Sequence, residues 1–227
     1  MLRHKFGQEL QRLQDEVLVL GDLVEKALVQ SVELLKKQDR QGSRRLIAAD
    51  RLINERRYAL EAETIALIAT QQPMAGDMRL LAAILEIITE LERIGDYAKG
   101  IARITLAIGD KPLIKPLIDL PVMADKACQM LRQALDAFVH RDVVLARAIP
   151  RQDDEVDALY NQVFRELLSH IMSNADTLEQ ATYLLWAAHN LERTADRVIN
   201  ICERVVHTVT GEMQELDVDD AGIEGLA

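Results

Sequence analysis

Glu92 and Asp96 lie four residues apart, and Glu192 and Asp196 repeat that spacing 100 residues later. On a helix, side chains four apart stack on one face. Asp50 and Asn54 share this step, as do Asp153 and Asp157. Like charges placed this way repel by about 0.2–0.5 kcal/mol per pair in an isolated helix. A hard cation held by carboxylate oxygens would offset that repulsion, and oxygen-only donor sets suit magnesium, manganese, calcium or ferric iron better than copper. The competing interpretation is an ordinary solvated face, in which Asp96 pairs with Lys99 and Arg93 or Arg193 neutralises its neighbours. Recurrence of the acids in one Leu-Glu-Arg context sets a built site level with the ordinary solvated face.

The elements that must position these acids are helices. Phe6, Leu10, Leu13, Val17, Leu20, Val24 and Ala27 alternate steps of four and three, which predicts a first helix to about Gln38. Ser43 is placed to cap a second helix that continues to about Thr70, and Gln71-Gln72-Pro73 interrupts it. A third helix to about Ile108 carries the seam Ile84, Ile88, Leu91, Gly95, Ala98 and Ala102. Pro112, Pro116 and Pro121 exclude a continuous helix through the next stretch. Three more helical segments follow, over 122–139, 143–173 and 176–210, with Pro150 kinking the middle one.

The second half copies the first. Leu91-Glu92-Arg93, Asp96 and Ile101 return as Leu191-Glu192-Arg193, Asp196 and Ile201, and Asp50, Ile53 and Asn54 are echoed by Asp153, Val156 and Asp157. The expected fold is all-α, with two tandem pseudo-symmetric three-helix bundles. The first covers 1–110, a Pro-rich linker 111–121 and the second bundle 122–211, ahead of an acidic tail over 212–227 whose composition predicts disorder. If the second and third helices of each half pack together, each bundle brings two of the polar pairs face to face, at the half-exposed edge of the buried seam.

Composition narrows the function classes. The net charge of −10 comes largely from six acids after Gly211, and no basic block suits a nucleic-acid backbone. The same deficit argues against direct adhesion to anionic lipid, so membrane association would be peripheral, through a protein partner. The start lacks an apolar secretion signal, and Glu86 and Glu90 break the longest apolar runs, which fits a cytoplasmic protein. Cys128 and Cys202 lie on apolar stripes without metal-ligand spacing, as small buried side chains do. No phosphate cradle, nucleophile elbow or Cys-His arrangement appears, so catalysis is not indicated. The Glu-x-x-His steps of a di-iron enzyme are absent; His189, three residues before Glu192, is a candidate extra ligand.

Gln71-Gln72-Pro73-Met74-Ala75-Gly76-Asp77-Met78-Arg79 and Leu91-Glu92-Arg93-Ile94-Gly95-Asp96 closely resemble the PhoU family pattern, and the duplicated Leu-Glu-Arg and Asp motif extends the resemblance across almost the whole chain. The resemblance implies a regulatory adaptor, not an enzyme, that negatively controls the phosphate regulon. Its implied partners are the phosphate transporter ATPase and a sensor histidine kinase, and its implied cofactor is a multinuclear iron or zinc cluster, with manganese or magnesium as alternatives. The family's acidic motifs map onto Asp50, Asn54, Glu92 and Asp96, and onto Asp153, Asp157, Glu192 and Asp196. Asn54 departs from the pattern, since a neutral amide replaces a carboxylate and weakens the first site's hold on cations. Asp77 and Arg79 have no counterparts in the second half. A homodimer is the expected assembly. A metal-dependent enzyme acting on phosphate or phosphate esters, and a purely structural helical scaffold, are the alternatives.

Overall fold

The computed structural model describes residues 2–216, which form six long helices and one short one with no strands. They are α1 (Leu2–Lys37), α2 (Arg40–Gln71), α3 (Ala75–Ile108), α4 (Asp119–His140), α5 (Val143–Ala148), α6 (Asp153–Ser173) and α7 (Leu178–Thr210). Single 3-10 turns at Pro150–Gln152 and Ala175–Thr177 precede α6 and α7.

The alternating seams explain these helices. Leu10, Leu13, Val17, Leu20 and Val24 of α1 are buried, as is every position of the expected seam in α3, and in α7 Leu184, Ala188, Leu191, Ala195, Val198, Cys202 and Val205 repeat the four-three step and are all buried. Each fully buried Val, Leu or Ile contributes about 1.5–3 kcal/mol relative to exposure. Three boundaries differ from expectation. The cap of α2 is Asp39, whose side chain accepts from Gly42 N at 2.8 Å, while Ser43 is buried inside the helix with its hydroxyl donating to Asp39 O at 2.9 Å. Pro121 lies in the first turn of α4, where backbone N–H groups have no helical acceptor in any case, so the linker ends at Ile118. Pro150 breaks its segment outright into α5 and α6 through a 3-10 turn, because it has no N–H to donate.

The halves share one continuous core that runs from Leu10 to Val206. Helix contacts follow the row α2, α3, α7, α6, with α1 packed on α2 and α3, α4 packed on α7 and α6, and α1 touching α4. Down the middle, α3 and α7 are antiparallel. Arg79 Nε donates to Thr208 O at 3.2 Å, Arg204 Nη1 lies 3.1 Å from Glu86 Oε2, and Asn200 Nδ2 donates to Glu90 Oε2 at 3.3 Å. The mirror contact of that last one is Gly100, where an added Cβ would sit 3.0 Å from Asn190 Nδ2. The repeat offset of 100 residues therefore becomes a pseudo-twofold axis crossing the α3–α7 seam near Gly95 and Ala195.

The linker is fixed to the second half. Ile114 N donates to Gln180 Oε1 at 2.6 Å, Gln180 Nε2 donates to Pro112 O at 3.0 Å, and Lys115 pairs with Asp119 and Glu166. The first residues of the expected disordered tail are also held: Leu216 N donates to Glu203 Oε1 at 3.0 Å, and Arg147 donates to Gln214. Leu216 gives this stretch an apolar anchor against the core, which the acidic composition concealed. The rest of the tail, 217–227, lies outside the described residues. Among the described residues no helix is long and apolar enough to cross a membrane.

Gly95 lets α2 approach α3, since a Cβ there would stand 3.1 and 3.3 Å from two carbons of the buried Ile53. Gly95→Val should destabilise the protein by about 1–3 kcal/mol through overpacking. Urea unfolding checks this, and Ile53→Ala in the same chain should cost less than its effect in the parent, because the two side chains compete for one space.

Candidate functional site

Each acidic set spans a lateral helix seam, the first between α2 and α3 and the second between α6 and α7. The seam residues explain the placement. Glu92 follows Leu91 and Asp96 follows Gly95, so both acids sit one step outside the buried stripe, and Glu192 and Asp196 do the same beside Leu191 and Ala195. Because the pseudo-axis passes close to residues 95 and 195, the two sets stand at the same height on opposite flanks of the α3–α7 pair.

In the first half the structure brings Asp50, Asn54 and Asp96 together around a cation that the chain itself supplies. Lys99 Nζ lies 2.6 Å from Asp50 Oδ2 and 3.1 Å from Asp96 Oδ1. Asn54 Nδ2 also donates to Asp50 Oδ2, at 3.1 Å. Asp50, expected at a half-exposed edge, is buried at 6% exposure, whereas Asp96 is exposed. Glu92 stands apart from this knot: burial first, then the nearby Asp96 charge, push its carboxyl above the usual range, against Arg57 and Arg93. The Asp96–Lys99 pair anticipated as the ordinary alternative is present, and it reaches further, across the seam to α2. The fit to a metal is poor here, because an ammonium already neutralises the two aspartates and an amide takes up Asp50.

The second half lacks a counterpart to Lys99, since the repeat places Ile199 there, buried at 4% exposure. Its acids are Asp153, at the first position of α6, Asp157 one turn on, and Glu192 and Asp196 of α7. Burial raises the Glu192 carboxyl above the usual range, Asp196 and Asp157 raise it further, and His189 works against them. Glu192 Oε2 is buried and accepts no hydrogen bond, although His189 Nδ1 stands 3.1 Å away in ion-pair range. Asp196 Oδ2 lies 3.7 Å from Arg193 Nε on the half-exposed outer face. This buried oxygen without a hydrogen bond, within electrostatic reach of Asp196 and Asp157, offers one carboxylate ligand to a hard cation. Among the described residues no three His, Cys, Asp or Glu side chains already stand close enough to hold one ion.

Two groups of polar residues escaped the sequence. Tyr160 of α6 packs its ring 6.2 Å from that of His189, and burial, then Glu192, raises its phenol above the usual range. The only signal for it was its position one turn beyond Val156. Between the halves, Arg197 Nε donates to Tyr97 Oη at 3.3 Å and Arg197 Nη1 lies 3.4 Å from Glu90 Oε2, with both ion-pair side chains less than a fifth exposed. Tyr97 and Arg197 are repeat equivalents, and their matched positions one step past Asp96 and Asp196 were the available sign.

The family model described as the PhoU domain matches residues 17–105 and again residues 120–205. The chain belongs to the PhoU family. It is 33% identical over 218 residues to the phosphate-specific transport system accessory protein PhoU homolog of Clostridium acetobutylicum, covering 96% of this chain and 100% of that one. It is likewise 33% identical to the phosphate-specific transport system accessory protein PhoU of Escherichia coli K12, over 92% of this chain and 86% of that protein. The crystal structure of PhoU from Pseudomonas aeruginosa superposes with a TM-score of 0.85 at 30% identity, covering 91% of this chain and 100% of that one. The phosphate transport system regulatory protein PhoU from Streptococcus pneumoniae gives the same TM-score and identity over 92% and 99%. Both PhoU repeats carry a Leu-Glu-Arg and Asp motif on the helix at the central seam.

Cys128 and Cys202, expected to be buried and not ligands, are both buried. Burial pushes both thiols up to about 12, from an ordinary value of 9.0. Both should therefore resist an aromatic disulfide reagent at pH 8 and react fully once the chain is unfolded in urea. The sign for stability follows: above pH 9 the unfolded thiols lose protons that the native ones keep, so both cysteines lower stability as pH rises from about 9 toward 12.

Proposed function

We propose that this chain is a regulatory adaptor of phosphate uptake that restrains the phosphate regulon by binding the phosphate transporter ATPase and a phosphate-sensing histidine kinase. The observation that carries this reading is the PhoU domain matched twice, over residues 17–105 and 120–205, together with relatives named as accessory or regulatory components of phosphate transport. The row α2, α3, α7, α6 supports it physically, because four adjacent long helices offer an extended surface suited to binding and not to turnover. A cytoplasmic location and only peripheral, partner-mediated contact with the membrane follow from the same partners.

Metal enters this proposal in the second half. Asp153, Asp157, Glu192 and Asp196 would hold a hard ion or small cluster, of iron or zinc or alternatively manganese, whose charge would neutralise the carboxylates and tie α6 to α7. The assembly we propose is a homodimer. Phe164, Leu168 and Met172, spaced by four along α6 and all exposed, support self-association.

In a strain lacking this protein, alkaline phosphatase should be expressed at high phosphate, and restoring the chain should repress it; continued repression without the protein would reject the regulatory role. Co-purification with the ATPase and kinase, run beside a phosphatase assay, separates adaptor from enzyme. Partner capture without turnover is the expected result, and turnover on phosphate esters without capture would favour the enzyme.

A further inference from the structure

The two acidic sets are equivalent in sequence and position but differ in what balances them. In the first half, Lys99 Nζ bridges Asp50 and Asp96, with the Lys99 side chain 21% and that of Asp50 7% exposed. The Lys99–Asp50 pair is less screened by solvent than a surface pair, whereas the Asp96 side chain is 51% exposed. In the second half the same position is the buried Ile199, and His189 Nδ1 stands 3.1 Å from Glu192 while Arg193 Nε lies 3.7 Å from Asp196. The amide of Asn54 also stands where the second half has Asp157. Both differences lower the negative charge of the first set from within the chain.

We infer that Lys99 is a built-in cation that takes a metal ion's place between α2 and α3, so that the first half closes its acidic seam without metal and any bound metal is confined to the second half. Two substitutions distinguish the halves chemically. Asn54→Asp adds the missing carboxylate, and Lys99→Ile removes the ammonium and installs the side chain that the second half uses. The inference deepens the metal reading proposed above, but it concerns residues outside the second-half set.

The test is titration of the purified full-length chain with manganese(II) and, separately, zinc(II). Bound ions are counted by elemental analysis after gel filtration, and folding of each variant is checked by circular dichroism. Asp50→Asn should leave ion uptake within twofold of the parent, Glu192→Gln should weaken it at least tenfold, and Asn54→Asp with Lys99→Ile should bind at least one additional ion per chain. Should that double variant fail to fold, Asn54→Asp with Lys99→Gln keeps a polar side chain at the seam and serves instead. Loss of ions in Asp50→Asn, or no gain in the folded double variant, overturns the inference. A parent chain that binds no ion beside a double variant that does would reject the second-half metal reading while upholding the role of Lys99.

Discussion

The antiparallel contact between α3 and α7 is the constraint on which the other placements depend. Gly100 of α3 lets the two helices come close, since a Cβ there would stand 3.0 Å from Asn190 Nδ2 of α7. Close approach fixes rotation, since a helix whose narrow side is committed inward has its flanking positions determined to within one step. The acids one step past each seam residue then face the lateral neighbours, α2 on one flank and α6 on the other. Neither acidic set would be reproduced at matched height without that central register.

Within this symmetric frame the side chains have diverged, and the divergence is chemical. Glu90 and Asn190 are equivalents, yet only Glu90 draws in Arg197 and Asn200, whereas Asn190 packs against the missing side chain of Gly100. Tyr97 and Arg197 are equivalents that now bind each other across the axis. Lys99 and Ile199 are likewise equivalents that differ in chemistry, at the lateral seams.

Helix number, the antiparallel order and the buried stripes were legible in the sequence because each rests on periodicity, which needs no knowledge of a neighbour. The repeat was legible for the same reason. Capping was misjudged at Ser43 because Asp39 and Ser43 both offer a suitable side chain, and which one leads depends on where the backbone first turns helical. Pro121 was assigned to the linker although a proline in a first turn costs little. The one-turn spacing of the acids can be read from sequence, but what surrounds them cannot, because Lys99 contacts Asp96 within one turn and Asp50 from another helix 49 residues away in sequence. A local pair can be counted from spacing. The cross-seam reach depends on how closely α2 approaches, and that is set by Gly95 and Ile53 together.

A cation carried by the chain and one drawn from solution differ in thermodynamic consequence, even if their charges do equal work on neighbouring carboxylates. A bound ion stabilises the state that holds it in proportion to RT ln(1 + [L]/Kd), about 2.7 kcal/mol when the ion is present at a hundred times its dissociation constant and almost nothing when it is scarce. The ammonium of Lys99 contributes the same amount at every metal concentration, because it is covalently present at its site. On the proposal made above, the α2–α3 seam would then stay constant while an α6–α7 seam that held metal would vary with supply, and two halves built on one plan would respond differently to the same surroundings.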